Sequence, residues 1–247
     1  MGRSRVFISS NTFGKAFLAK AWEARGELQK YERRGFAQYF YIIITGHIET
    51  VIMSCIKARL KIIMSVQWNK AGLYELELNN EIQSHSLEPI TSSIKQIASS
   101  TLNEVENAPL SKLVQLYNKV FPENINLVIG SESKKDLDAL AVLRNIFAHG
   151  RDIFVEFEGE DPAEFKGILD GNPLKNPAQR LQAAGIITNF DITGQNHDSF
   201  TSIFFSDEAM LYFYNVVREV ESKLKLNNQF VPENMMYHIQ ELPEIQS

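Results

Sequence analysis

The chain has 247 residues, enough for one large domain or two small ones with a substantial core. A content of 44% hydrophobic and 22% charged residues is typical of globular proteins and argues against disorder. The net charge of −5 argues against a dedicated nucleic-acid scaffold with a broad basic surface, but it leaves room for an enzyme with a local basic cleft.

The first predicted helix follows a polar cluster, Ser9 to Thr12, that is suited to capping a helix start, and it extends to about Tyr31. Gly35 is expected to separate it from a long helical pattern between Phe36 and about Gln67.

The most apolar part of that long helix is too polar for a membrane span, because it contains Gln38, His47 and Glu49. We therefore predict a buried core helix, with His47 as a hydrogen-bonded core residue. The single cysteine, Cys55, lies in this run and cannot form an intramolecular disulfide, which fits a reducing cytoplasm. The five histidines do not cluster as ligands do, so we expect neither a metal nor a cofactor.

The residues from Trp68 to Ala108 are less regular, and within them Thr91 to Val105 reads as a moderately amphipathic helix. Ser111 to Phe121 is a clearer helix that Pro122 ends. A turn around Gly130 follows.

The next predicted helix is the most informative segment of the chain. Ser133 and Asp136, three residues apart, resemble a capping pair, and Gly150 is well placed as the left-handed residue that ends the helix. Apolar residues mark two stripes along this helix rather than one. A helix that is apolar on two sides needs two partners, and a second subunit is an attractive candidate for one of them.

The pattern changes after Gly150. Three segments alternate like strands, and they are Ile153–Phe157, Ile186–Ile192 and Phe200–Phe205. We predict that residues 151–206 form an inserted, partly β or irregular excursion. Helical periodicity returns at Asp207–Leu224, and residues 227–247 read as a C-terminal tail. The whole is predicted to be one mainly α domain over residues 1–226.

The informative helix ends with the string Leu143-Arg144-Asn145-Ile146-Phe147-Ala148-His149-Gly150. This string resembles the signature of the HEPN superfamily, whose active ribonucleases carry an Arg, usually a polar residue, three further residues and a His. Arg144, Asn145 and His149 match that pattern residue by residue. The resemblance covers about residues 36–150 and the helix from Asp207, and it implies a HEPN-type helical bundle with residues 151–206 as an insertion.

The resemblance implies a metal-independent endoribonuclease, of the kind that acts as a bacterial toxin or an antiphage effector. Arg144 supplies a permanent cation with a planar fork of donors suited to phosphate oxygens. His149 titrates near neutrality and can move the proton of an RNA 2′-hydroxyl. Asn145 would orient the phosphate or a group across the dimer. Such an enzyme is expected to need a partner antitoxin or a trigger to restrain it.

The spacing of the motif favours a composite site. Asn145 and His149 share a helix face, but Arg144 lies about 140° around the helix from His149. One helix cannot easily aim both side chains at one phosphate, whereas two copies across a homodimer can, as the resemblance implies.

Glu49 is the further catalytic candidate, because HEPN proteins often carry an acidic or polar residue on the long helix near the motif. The alternative reading is a solvated surface glutamate. Charge is polarised along the chain, with eight basic and three acidic residues up to position 34 and seven basic against sixteen acidic residues from position 151. Residues that could frame an RNA-binding surface are Arg33, Arg34, Lys57, Arg59 and Lys61.

A second hypothesis is a non-catalytic HEPN dimer that serves as an interaction or sensor module. In that case Arg144 would pair with an acid and His149 would cap its own helix end. A buried position for both side chains favours the module, and an open cleft favours the enzyme.

Overall fold

The protein is described from a computed structural model, which defines residues 18–65, 73–78, 81–86, 88–149, 171–187, 203–227, 242–243 and 245. These residues are mainly helical, as predicted. After a helical stretch over residues 18–23 and a short 3-10 turn at Ala24–Glu27, the helices are α1 (Lys30–Ser65), α2 (Glu88–Val105), α3 (Leu110–Val120), α4 (Ile125–Ile129), α5 (Ser131–His149), α6 (Lys175–Ala183) and α7 (Asp207–Asn227).

The long helix α1 is the centre of the fold. It has 36 residues, a length of about 54 Å, and it packs against α2, α3, α5 and α7. Because neighbours cover it on several sides, its apolar residues are not confined to one stripe. By length and composition Tyr31–Met64 would also pass for a membrane span, but 67% of its most apolar window is buried inside the fold. The prediction of a buried core helix agrees with this packing.

The predicted break at Gly35 is wrong. Helix α1 begins at Lys30 and continues through Gly35, which is exposed. The preceding helix ends earlier than predicted, since residues 28 and 29 separate Ala24–Glu27 from α1. An exposed helical glycine costs only about 1 kcal/mol relative to alanine, and the burial of the following apolar turns outweighs that cost. The predicted cap at residues 9–12 lies outside the described residues.

The segment between α1 and α2 contains a two-stranded antiparallel hairpin, β1 (Leu73–Leu78) and β2 (Glu81–Ser86). Leu73 pairs with Ser86, and Leu78 pairs with Glu81. The sequence pattern predicted only less regular structure here and did not indicate the two strands. Helix α2 also begins three residues before the predicted Thr91.

Two of the three strands predicted after Gly150, at Ile186–Ile192 and Phe200–Phe205, are not strands in the residues that the structure describes. Ile186 and Ile187 donate backbone hydrogen bonds to the Leu181 carbonyl and cap α6, with Gly185 in the left-handed region (φ 73°). Residues 203–206 form the turn that leads into α7, and the Ser206 hydroxyl accepts from the Ala209 amide. Residues 153–157 lie outside the described residues, and the region predicted to be partly β or irregular contains helix α6.

The described residues of the predicted C-terminal tail pack against the body of the fold. Leu242 is buried in the core, and the Tyr214 hydroxyl donates a hydrogen bond to the Pro243 carbonyl. At least this part of residues 227–247 therefore belongs to the folded domain.

Candidate functional site

The predicted catalytic residues lie on the last two turns of α5. Leu140 and Leu143 are buried against the core and fix the helix in place. Asn145 and His149 are exposed, whereas Arg144 is half-buried. The burial pattern therefore follows the helical spacing of the motif, with Asn145 and His149 on the outer face.

Arg144 is held by its neighbour in the chain. Its Nη1 donates a hydrogen bond of 3.0 Å to Oδ1 of Asn145. A guanidinium has five N–H donors, so this bond orients the group and occupies only one of them. The pair is thus arranged to present a fixed positive charge at the protein surface.

Glu49 lies close enough to Arg144 to interact with its charge, and it is not a solvated surface glutamate. Its half-buried carboxylate accepts a hydrogen bond of 3.1 Å from the backbone N–H of Leu110, the first residue of α3. Pro109 at the N-cap provides no side-chain cap, so a residue of α1 performs that function. Burial raises the pKa of Glu49, and the charge of Arg144 and the Leu110 hydrogen bond oppose the rise.

The structure brings Glu49, Arg144 and Asn145 together within the chain. His149 stands five residues further along, about 7.5 Å up the helix axis from Arg144. It is the last residue of α5. Within one chain a half-buried guanidinium and an exposed imidazole therefore lie on different faces of the helix.

The predicted RNA-binding residues do not form one patch. Arg33 and Lys57 are separated by 24 residues of α1, or about 36 Å. Arg33 forms an ion pair of 2.7 Å with Asp207, which also binds Arg25 at 2.9 Å, so it fastens α7 to α1. Arg34 stands beside it on α1, and both are half-buried.

The second group of basic residues lies near the end of α1. Lys57 Nζ is 3.4 Å from Oε1 of Glu106. Because the glutamate side chain is 62% exposed, this ion pair holds Lys57 only weakly. Arg59 and Lys61 are half-buried on the same stretch of helix. This group, closer in sequence to Glu49, is the better candidate for contact with a polyanion.

His47 is a core residue, as predicted. Its fully buried Nε2 donates a hydrogen bond of 2.7 Å to Glu221 of α7. The Glu221 carboxylate also binds Lys225 at 2.8 Å. His47 therefore joins α1 to α7 and is not available for catalysis.

Asp136 has a different function from the one predicted. Helix α5 begins at Ser131, two residues before the predicted cap Ser133, and Asp136 is buried inside the helix. Its Oδ1 accepts hydrogen bonds from Arg180 Nε at 2.5 Å and from Tyr212 Oη at 2.7 Å. It therefore ties α5 to α6 and α7. No pattern in the sequence indicates these partners, which are 44 and 76 residues away.

Across the part of the chain that the structure describes, no three His, Cys, Asp or Glu side chains are grouped closely enough to hold a metal ion. No protein-family model matches the chain, and comparison with curated proteins and with solved structures gave no match.

Proposed function

We propose that this protein is a HEPN-type endoribonuclease that cleaves RNA without a metal ion. The observation that carries the proposal is the arrangement at the end of α5. There, Arg144 is oriented by Asn145 and is close to Glu49, and His149 of the same motif is exposed at the helix end. The resemblance of residues 143–150 to the HEPN signature assigns RNA as the substrate.

The reaction follows from the chemistry of the two side chains. A neutral His149 removes the proton from a ribose 2′-hydroxyl, and that oxygen attacks the adjacent phosphorus. The bond from phosphorus to the 5′-oxygen breaks, and a protonated imidazole donates a proton to the leaving oxygen. The products are a 2′,3′-cyclic phosphate and a 5′-hydroxyl end. Arg144 stabilises the negative charge that develops on the phosphate oxygens.

A homodimer completes the site in this proposal. Arg144 and His149 diverge by about 140° on one helix, so Arg144 of one protomer and His149 of its partner can act on the same phosphate. If so, mixing inactive Arg144→Ala and His149→Ala proteins and allowing subunits to exchange should restore part of the activity. Activity that stays absent after confirmed exchange would contradict a site shared between protomers.

We propose single-stranded or looped RNA as the substrate, because unstacked nucleotides can reach the in-line geometry of attack. The C-terminal part of α1, with Lys57, Arg59 and Lys61, would attract it. The biological role would be that of a cytoplasmic toxin or antiphage effector, restrained by an antitoxin or released by a trigger.

The second candidate is a non-catalytic HEPN dimer that acts as an interaction or sensor module. The bond from Glu49 to the start of α3 favours it, because this bond gives Glu49 a structural function that needs no substrate. The exposure of His149 favours the enzyme, because an exposed imidazole can contact an RNA substrate.

Expression of the wild type and of His149→Ala in parallel separates the two candidates. The enzyme predicts growth arrest by the wild type alone, and cleavage of total RNA by the purified wild type in EDTA. His85→Ala, which changes a histidine of β2, serves as the matched control and should behave as the wild type. A stable dimer with neither toxicity nor cleavage would favour the interaction module.

A further inference from the structure

The last turn of α5 is held on the core side by the ring of Phe147. Its centroid lies 5.5 Å from that of Tyr41 and 5.4 Å from that of Phe205. At 100° per residue, Phe147 points about 160° away from both Asn145 and His149. The ring contacts on one side of the helix therefore determine where the motif residues point on the other side.

The two partner rings come from different parts of the chain and are joined to each other. Tyr41 lies in α1, and its buried hydroxyl donates a hydrogen bond of 2.8 Å to the carbonyl of Phe204. Phe204 and Phe205 belong to the turn at residues 203–206, which returns the chain from the excursion to α7. Tyr41 thus contacts the motif helix and the return turn at the same time.

This packing matters most at the end of the helix. The last four carbonyl groups of an α-helix have no partner within the helix, so the final turn has fewer hydrogen bonds to hold it than the interior. Leu140 and Leu143 anchor the turns before it. Phe147 is the inward-facing residue nearest to His149 in the sequence, and its ring contacts pack the final turn against the core.

Helix α6, which lies within the region of residues 151–206, also contacts the start of α5. Arg180 of α6 binds Asp136 and reaches Glu132 at 2.8 Å, both in the first two turns of α5. Described residues from the region between 151 and 206 therefore contact α5 near both of its ends.

We propose that Tyr41 and Phe205 are positioning residues for His149. The return turn at residues 203–206 then controls how well the last turn of α5 is ordered. The proposal rests on the proposed function for the role of His149 in proton transfer. A displacement of the return turn would release Phe147 and loosen the end of α5. The return turn is then a regulator of the site.

Two variants test the link from opposite sides, and both leave the proposed catalytic groups in place. Phe205→Leu removes the ring from the return turn, and Tyr41→Phe removes only the hydrogen bond to Phe204. Phe205→Tyr keeps a ring and should rescue the effect. Phe121→Leu is the matched control, because Phe121 is also half-buried and ring-paired, with Tyr117 at 4.1 Å, but lies at the far end of α3 from Leu110.

Hydrogen exchange of the backbone amides is the first measurement, because it needs no RNA. Phe205→Leu and Tyr41→Phe should lower the protection of residues 146–149 by about tenfold and leave residues 137–143 unchanged. Phe205→Tyr and Phe121→Leu should match the wild type. Unchanged protection in both test variants, or an equal loss in Phe121→Leu, would overturn the link.

RNA cleavage by the full-length protein is the second measurement. Misplacement of His149 should lower kcat on the order of tenfold or more in Phe205→Leu with KM unchanged, because substrate binding does not depend on the imidazole. A raised KM with an unchanged kcat would contradict a positioning role. If the wild type cuts no RNA, the proposed function fails, and the exchange data still decide whether the return turn orders the end of α5.

Discussion

Asp136 offers the sharpest test of how the motif helix is held. Replacing it with alanine removes the acceptor of two hydrogen bonds in the interior, one from Arg180 and one from Tyr212. The carboxylate side chain is 8% exposed and that of Arg180 is 15% exposed, so water can replace the lost bonds only in part. We therefore expect Asp136→Ala to destabilise the fold strongly.

The magnitude follows from the burial of the pair. Breaking a buried ion pair by removing one partner costs about 3–5 kcal/mol, and Arg180 keeps its bond to Glu132, so about 3 kcal/mol is expected. Tyr212→Phe removes one bond to a charged acceptor and should cost about 1.5 kcal/mol. For a chain of this size, 3 kcal/mol corresponds to a fall in Tm of roughly 6–12 °C.

Urea unfolding followed by circular dichroism measures these losses, and Asp138→Ala is the control on the same helix. Asp138 is 51% exposed and binds only Lys134 among the contacts described, so its loss should cost about 0.5 kcal/mol or less. If Asp136→Ala and Asp138→Ala cost the same, the buried network does not hold α5 and the reasoning is refuted.

Three further results are expected. Burial by itself would raise the pKa of Glu221, but hydrogen bonds from His47 and Lys225 lower it overall. This stabilisation is present above the unfolded pKa of about 4.3 and is lost as the pH falls through the lower folded value. Thermal unfolding between about pH 6 and pH 3 should therefore show a smaller loss of stability for Glu221→Gln than for the wild type. Glu49→Ala should cost about 1 kcal/mol in urea unfolding because Leu110 loses its cap, whereas Glu49→Gln keeps an acceptor and should be nearly neutral; loss of RNA cleavage in Glu49→Gln would show a catalytic role beyond the cap. The logarithm of the RNA-binding constant should fall less steeply with the logarithm of the salt concentration, by about 2 units of slope, when three residues, Lys57, Arg59 and Lys61, are neutralised. An unchanged slope would show that these residues do not contact the RNA.

The sequence predicted the helices where apolar periodicity was strong. The apolar periodicity of α7 and the apolar content of α1 identify side chains that must be buried away from water. Such patterns can be recognised within a single segment of the sequence. The hairpin was detectable as well, because Tyr74, Leu76 and Leu78 alternate with glutamates before a pair of asparagines. The break predicted at Gly35 does not occur, because the burial of neighbouring turns outweighs the low helix propensity of one glycine.

The motif residues could be predicted, but their surroundings could not. A helix fixes the spacing of Arg144, Asn145 and His149, so their relative positions on α5 follow from the sequence alone. The contacts of Asp136 with Arg180 and of Phe147 with Phe205 join residues far apart in the chain. Only the packing of the helices reveals such partners.

We propose that His149 and Arg144 cut RNA through the 2′-hydroxyl and without a metal ion. The most direct measurement is cleavage in EDTA of an RNA oligonucleotide containing a mapped cut site, compared with the same oligonucleotide carrying a single 2′-deoxy substitution at that site. We expect the wild type to produce a 2′,3′-cyclic phosphate from the all-RNA strand and to leave the substituted strand intact. We expect His149→Ala and Arg144→Ala to cleave neither strand. Cleavage of the substituted strand at the same position, or full activity in His149→Ala, would contradict it.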